Sequence, residues 1–211
     1  MIKLDILSDP ICPWCYIGKL RLDAALAKRP GAPFAIEYHP FQLNPDMQAG
    51  GMDRQAYLEA KFGGKARAAE VYAPIDDAMR EVGVEVAWGA IQRTPNTLDA
   101  HRLIHWAGLE QAQLAVVTGL FEAYFVEHRD IGDHDVLADI ADSAELDAAL
   151  IRRLLAGEAD RADVAARDAH ARERGVTGVP THIIADQHVV PGAQPTALWL
   201  KLIDEIAEQI Q

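Results

Sequence analysis

The feature that most constrains this chain is the run Cys12-Pro13-Trp14-Cys15, which holds the only two cysteines among its 211 residues. A short apolar run, 2–7, precedes it and reads as a β-strand. From Tyr16 to Leu26 the apolar side chains recur at helical spacing, so the pair sits where a strand turns into a helix. Cys12 falls at the N-cap, and Pro13 takes the first helical position, where its missing N–H costs nothing. This placement predicts that the N–H groups of Trp14 and Cys15 are unpaired and point toward the Cys12 sulfur. Unpaired donors and the positive end of the helix dipole favour an anion there. A thiolate is such an anion, and it is the reactive form of cysteine.

Three chemistries suit a Cys-x-x-Cys pair. A structural disulfide closing so short a loop removes only ~2 kcal/mol of unfolded-state entropy, and a chain of this length, half of it hydrophobic, does not need that staple. A zinc site needs four ligands. His101 and His105, spaced i, i+4, are the candidates for the other two, yet there is no second Cys-x-x-Cys and no His-Glu-x-x-His pattern. A redox dithiol fits the strand-to-helix position best, so the site is expected to hold no metal.

A formal charge of −12 argues against nucleic acid and anionic membranes as partners. No run approaches the ~18 apolar residues of a membrane span. The chain enters a strand at once, without the charged and apolar regions of a signal peptide, so the expected location is the cytoplasm, where a lone Cys-x-x-Cys is more often catalytic than structural.

The first helix should fade near Lys28, and the turn 29–33 leads to a second strand over 34–39. A right-handed crossover makes the two strands parallel. From 42 to 174 no convincing strand is visible. Helices are expected over 54–62, 65–82, 97–107, 133–141, 144–155 and 160–174. Leu114, Val117, Leu120, Phe121, Tyr124 and Phe125 form a further helical core stripe. After the loop 175–181, strands over 182–185 and 188–190 flank a turn at Asp186-Gln187. A last helix presents Leu198, Leu202, Ile206 and Ile210 on one face. The expected fold class is α/β: a thioredoxin-like β-α-β unit, then a β-hairpin and a C-terminal helix, interrupted by a large all-helical insertion. Its domains would be 1–41 with 175–211, discontinuous, and 42–174 as the insertion.

Several segments carry a family resemblance. The run Cys12-Pro13-Trp14-Cys15-Tyr16-Ile17-Gly18-Lys19, the segment Asn96-Thr97-Leu98-Asp99-Ala100-His101-Arg102-Leu103, the loop Gly178-Val179-Pro180-Thr181 before the hairpin, and Gly192-Ala193-Gln194-Pro195 resemble, in this order, the DsbA family of thiol–disulfide oxidoreductases. The wording is similar to the FrnE-like branch of that family. The resemblance implies that Cys12 is an exposed nucleophile and Cys15 its resolving partner, supported by Pro13 and Trp14. It implies a cis peptide bond before Pro180, with the Val179 backbone free to pair with a substrate peptide. It places Asn96 and His101 near the site, shaping the pocket; each also has a plain structural reading, as a helix N-cap and a satisfied histidine. Trp14 stands where strongly oxidising relatives often carry His.

The activity implied is exchange of disulfides on protein or small-molecule thiols by a Cys12–Cys15 couple. It needs no other cofactor, with glutathione a candidate co-substrate and a homodimer left open. The same fold hosts glutathione-dependent isomerases of 2-hydroxychromene-2-carboxylate and kappa-type glutathione transferases. These use a single Ser or Cys at the first position, and Cys15 argues for dithiol chemistry instead. A non-enzymatic binding module using an apolar groove is the third reading.

Overall fold

A computed structural model of the chain describes residues 1–210, the side chains of Gln209 and Ile210 excepted. β1 (Ile2–Ser8) runs into α1 (Pro13–Lys28), and the chain returns as β2 (Phe34–Pro40), parallel to β1 with Ile2 beside Phe34 and Ser8 beside Pro40. Then come β3 (Met52–Asp53), α2 (Arg54–Phe62), α3 (Lys65–Glu81), β4 (Arg93–Thr94), α4 (Leu98–Leu109) and α5 (Gln113–Phe125). α6 (His134–Ser143), α7 (Ala148–Ala156) and α8 (Arg161–Glu173) follow. The chain closes with β5 (Thr181–Ile184), β6 (His188–Pro191) and α9 (Thr196–Ile210). The main sheet has the order β2-β1-β5-β6, with β5 antiparallel to β1 and β6 antiparallel to β5.

Side-chain alternation along the strands separates the sheet's two faces. Leu4, Ile6 and Ile184 are buried on one face, where His182 meets Trp199 of α9 edge-on at 4.8 Å. The other face carries Lys3, Asp5 and His39. There α8 lies against β2, and Arg167 donates to His39 Nδ1 and to His105 Nδ1, each at 3.1 Å. The helical segment shares one hydrophobic core with the sheet: Tyr16 of α1 stacks on Phe121 and Phe125 of α5, at 5.0 and 5.7 Å. No helix among the described residues is long and apolar enough to cross a membrane.

The structure departs from the sequence reading in several places. The insertion is not all helical, because β3 and β4 pair antiparallel, Met52 with Thr94. Two-residue strands carry too little periodicity to be read. Gly51 makes their approach possible at φ 64°, where an added Cβ would lie 2.6 Å from the Thr94 carbonyl oxygen. α7 starts at Ala148 rather than 144, because Asp147 caps it by accepting from Leu150 N–H. The hairpin turn lies one residue early, at Ala185-Asp186, both with positive φ. Leu114 is exposed in the first turn of α5, although the rest of its stripe is buried. On α9 the fully buried residues are Trp199 and Ile203, with Leu202 and Ile206 half-buried beside them. The expected contribution of Ile210 lies outside the described side chains.

Candidate active site

The site grows from the turn between β1 and α1. Cys12 N–H donates to the Asp9 carbonyl at 2.9 Å, and Asp9 Oδ1 accepts from Ile11 N–H at 3.2 Å. Cys12 is the N-cap and Pro13 the first helical residue, as expected. For Cys15 the expectation of a free N–H aimed at the sulfur is corrected. Cys15 N–H and Tyr16 N–H both donate to the Cys12 carbonyl, at 3.1 and 3.2 Å, and the Cys12 side chain makes no capping hydrogen bond. The thiol instead donates to the Val179 carbonyl at 3.7 Å, and the Val179–Pro180 bond is cis.

Nor is Cys12 exposed. It is 4% accessible and Cys15 is 3%, because the loop ending in Pro180 closes over the start of α1. The exposed member of the motif is Trp14, at 36%. Burial pushes the Cys15 thiol well above its usual value. Its hydrogen bond and charge interaction with Cys12 act in the same sense, against smaller opposing contributions from Ser8 and the Asp9 backbone. Cys15 is thus held as a thiol beside Cys12.

Gly18, one turn beyond Cys15, lets the Pro180 loop approach: an added Cβ would meet Pro180 Cγ at 3.1 Å and Ala193 Cα at 3.4 Å. Thr196 Oγ1–H donates to the Arg21 carbonyl and Arg21 donates to the Ala193 carbonyl, so the same face of α1 holds the start of α9. Gly18→Leu is expected to push the loop off Cys12, costing ~1–3 kcal/mol as overpacking does. A denaturant midpoint checks the stability. Faster alkylation of Cys12 by iodoacetamide under native conditions checks the opening.

Asn96 and His101 clamp a neighbouring loop rather than the thiols. Asn96 donates to the Met47 carbonyl at 2.6 Å, and its Oδ1 accepts from Leu98 N–H at 2.9 Å. His101 is buried against the Phe41 backbone. Burial, with the Arg167 charge adding to it, lowers it to about 3, so it is neutral. No hydrogen bond of either residue reaches a cysteine sulfur. His101, His105 and the two cysteines do not converge either. Among the described residues the group with metal-ligand geometry is Asp5, Glu37 and His39, and Lys3 lies 3.0 Å from Asp5.

Sequence reasoning missed Asp9. It is fully buried, and its Oδ2 accepts from Leu43 N–H at 2.6 Å, fastening the chain after β2 to the turn before Cys12. Burial pushes its carboxyl up to about 7, against hydrogen bonds from the Leu43 and Ile11 backbones and the Thr97 side chain. The available signal was an acid between an apolar strand and Pro10. A cavity of about 950 Å³ lies between α8 and the Lys3-Asp5 face; it touches Val179 but neither cysteine.

Two buried histidines set the pH response. Burial lowers His182 to about 4, and its Nδ1–H donates to the Val190 carbonyl at 3.2 Å. Above ~6.5, the ordinary value, histidine is neutral in the folded and unfolded chain alike. As pH falls from there toward 4, the unfolded chain takes up protons that the folded one refuses, so stability declines. His182 should account for roughly 3 kcal/mol of that loss. Asp9 acts with the opposite sign, since its carboxyl protonates earlier when folded. Urea midpoints between about pH 4 and 7 should therefore fall less steeply in His182→Phe than in the parent.

A four-stranded mixed sheet, a dithiol at the first helix and a cis proline facing it define a thioredoxin-fold protein. The model of the DSBA-like thioredoxin domain matches residues 3–204, and the chain belongs to that family. It is 28% identical over 207 residues to the uncharacterised protein YwbO of Bacillus subtilis, covering 97% of this chain and 96% of that one. Its fold is similar to that of a probable DsbA oxidoreductase from Streptomyces coelicolor, with a TM-score of 0.85, 27% identity, and coverage of 97% of this chain and 89% of that one. A 2-hydroxychromene-2-carboxylate isomerase shares the fold at a TM-score of 0.73 and 18% identity, with coverage of 98% and 97%.

Proposed function

We propose that this protein is a thiol–disulfide oxidoreductase of the FrnE-like branch, working through Cys12 and Cys15. The observation that carries the reading is the pair of free, buried thiols one turn apart at the start of α1, with the first held against the carbonyl that precedes a cis proline. Cys12, as thiolate, attacks one sulfur of a substrate disulfide. A Cys12–substrate disulfide forms, and the other substrate sulfur leaves as a thiolate. Cys15 then loses its proton and attacks the Cys12 sulfur, closing the Cys12–Cys15 disulfide and releasing the second substrate thiolate. The protein dithiol has given up two electrons, and the substrate disulfide has become two thiols. The reverse sequence oxidises a substrate dithiol, and an external thiol or disulfide resets the couple.

Burial of Cys12 favours substrates slim enough to pass Trp14 and the Val179 loop, whether an extended peptide or a small thiol such as glutathione. No metal or organic cofactor enters these steps. Catalytic reduction of a small disulfide at substoichiometric protein tests the reading. Cys12→Ser should lose it, and turnover persisting in Cys12→Ser would overturn the assignment.

A further inference from the structure

A second cavity, of about 450 Å³, lies between α2, α3 and the segment before β4. Leu58, Tyr72, Trp88 and Ile91 supply its apolar walls, and Arg54 lines it. Arg54 is 5% accessible, yet no carboxylate lies within ion-pair distance of it among the described residues. It donates to Tyr124 Oη and Tyr72 Oη, each at 3.0 Å, and its guanidinium carbon lies 5.5 to 5.9 Å from the ring centres of Tyr72, Trp88 and Tyr124. Its Nε–H, also buried, finds no acceptor among the described residues. The acids on the cavity wall are committed elsewhere: Asp53 caps α2 through Ala56 N–H at 2.8 Å, and Glu59 accepts from Gln55 at 2.9 Å.

A buried cation normally has an anion beside it, because desolvating it alone is costly. Tyrosine oxygens and ring faces meet part of that demand. An anion in the cavity would meet the rest, accepting from Arg54. Tyr72 accepts from Arg54 through its oxygen, leaving its own proton for such a ligand.

The cavity is also tied to the dithiol. Tyr16 follows Cys15 directly and stacks on Phe125. Phe125 meets Trp88 edge-on at 6.0 Å, and Trp88 meets Tyr72 edge-on at 5.0 Å. Burial pushes the Tyr72 phenol up, opposed by the Arg54 charge and hydrogen bond.

We propose that the cavity binds the carboxylate of a small acidic thiol or disulfide, anchored by Arg54 and Tyr72, while the sulfur of the same molecule reaches Cys12. The inference rests on the thiol–disulfide reading and names a substrate class for it. The redox steps are those given above, with the acidic disulfide reduced to two thiols.

Two measurements test it. In the first, the protein is titrated calorimetrically with thiodipropionate, a redox-inert thioether diacid, and with its neutral counterpart thiodiethanol. Binding of the diacid, preference over the neutral compound, loss in Arg54→Gln and partial rescue in Arg54→Lys are expected. The second compares kcat/KM for dithiodipropionate and bis(hydroxyethyl) disulfide. The parent should prefer the acid, and Arg54→Gln should lower that ratio roughly tenfold or more, the size of a hydrogen bond to a charged group. Because the first measurement uses the unaltered protein, it stands even if Arg54→Gln fails to fold. No binding of the diacid by the parent, or binding indifferent to both Arg54 substitutions, overturns the proposal. Diacid binding with no turnover of either disulfide supports the anion site and overturns the oxidoreductase reading instead.

Discussion

Cys15→Ser is expected to leave Cys12 able to attack a disulfide and unable to release what it has captured. The two thiols are buried together one turn apart at the start of α1, so on the proposed roles the resolving thiol is already beside the mixed disulfide. Well-oriented intramolecular partners act at effective concentrations of about 10⁵ M or more, against an external thiol pool in the millimolar range. Removing Cys15 therefore lengthens the life of the adduct by orders of magnitude. Non-reducing electrophoresis of Cys15→Ser from cell extract should show adducts that reductant dissolves. Cys12→Ser should show none, since its remaining thiol is the one that burial keeps protonated. Adducts on both variants, or on neither, would remove the assigned roles. An isomerase that needs only the first position predicts a different result: Cys15→Ser would keep its turnover and trap nothing.

The second large effect is on stability. Arg102 is wholly buried in α4, and its guanidinium satisfies the end of α7. It donates to the carbonyls of Ala159 at 2.7 Å, Leu154 at 2.7 Å, Leu155 at 3.4 Å and Gly157 at 2.8 Å, and it pairs with Asp99 at 2.8 Å. The last carbonyls of a helix have no partner within the helix, and its C-terminus favours a cation. Arg102→Ala would strip these buried acceptors and break the contact with the Trp106 ring. A loss of ~3–5 kcal/mol is expected, as for breaking a buried ion pair. Arg102→Lys should recover only part, because an ammonium cannot reproduce the planar fork of donors. Urea unfolding measures both, and a loss under ~1 kcal/mol in Arg102→Ala would show that water replaces these bonds at little cost.

Arg102 also shows how a motif can be recognised and its centre misplaced. The segment Asn96 to Leu103 is similar to a recurring family segment, and that similarity drew notice to Asn96 and His101. In the structure both fasten the chain that follows β2. The residue with the most polar contacts is Arg102, which the spacing of apolar residues could not single out. A charged residue in a helix reads as a solvated one until its partners are known, and here all but Asp99 come from the end of α7 and the turn after it, 52 to 57 positions away.

What the sequence determined by itself was local. A period of two before Cys12, a helical period after it and Pro13 at the first helical position placed the dithiol at a strand-to-helix junction. The same logic found the hairpin of β5 and β6 and the long helices between, because backbone periodicity and turn residues act over a few positions. Tertiary structure decided what surrounds those elements. Cys12 is buried because Val179, 167 positions on, lies over its sulfur. Asp9 has its carboxyl pushed up to about 7 because the fold buries it, although the Leu43 backbone and the Thr97 side chain oppose that shift. Arg54 is a cation among three aromatic rings drawn from α3, α5 and the segment before β4. Each is a buried polar group whose desolvation must be met by whichever group the fold brings near, and a linear pattern does not name that partner.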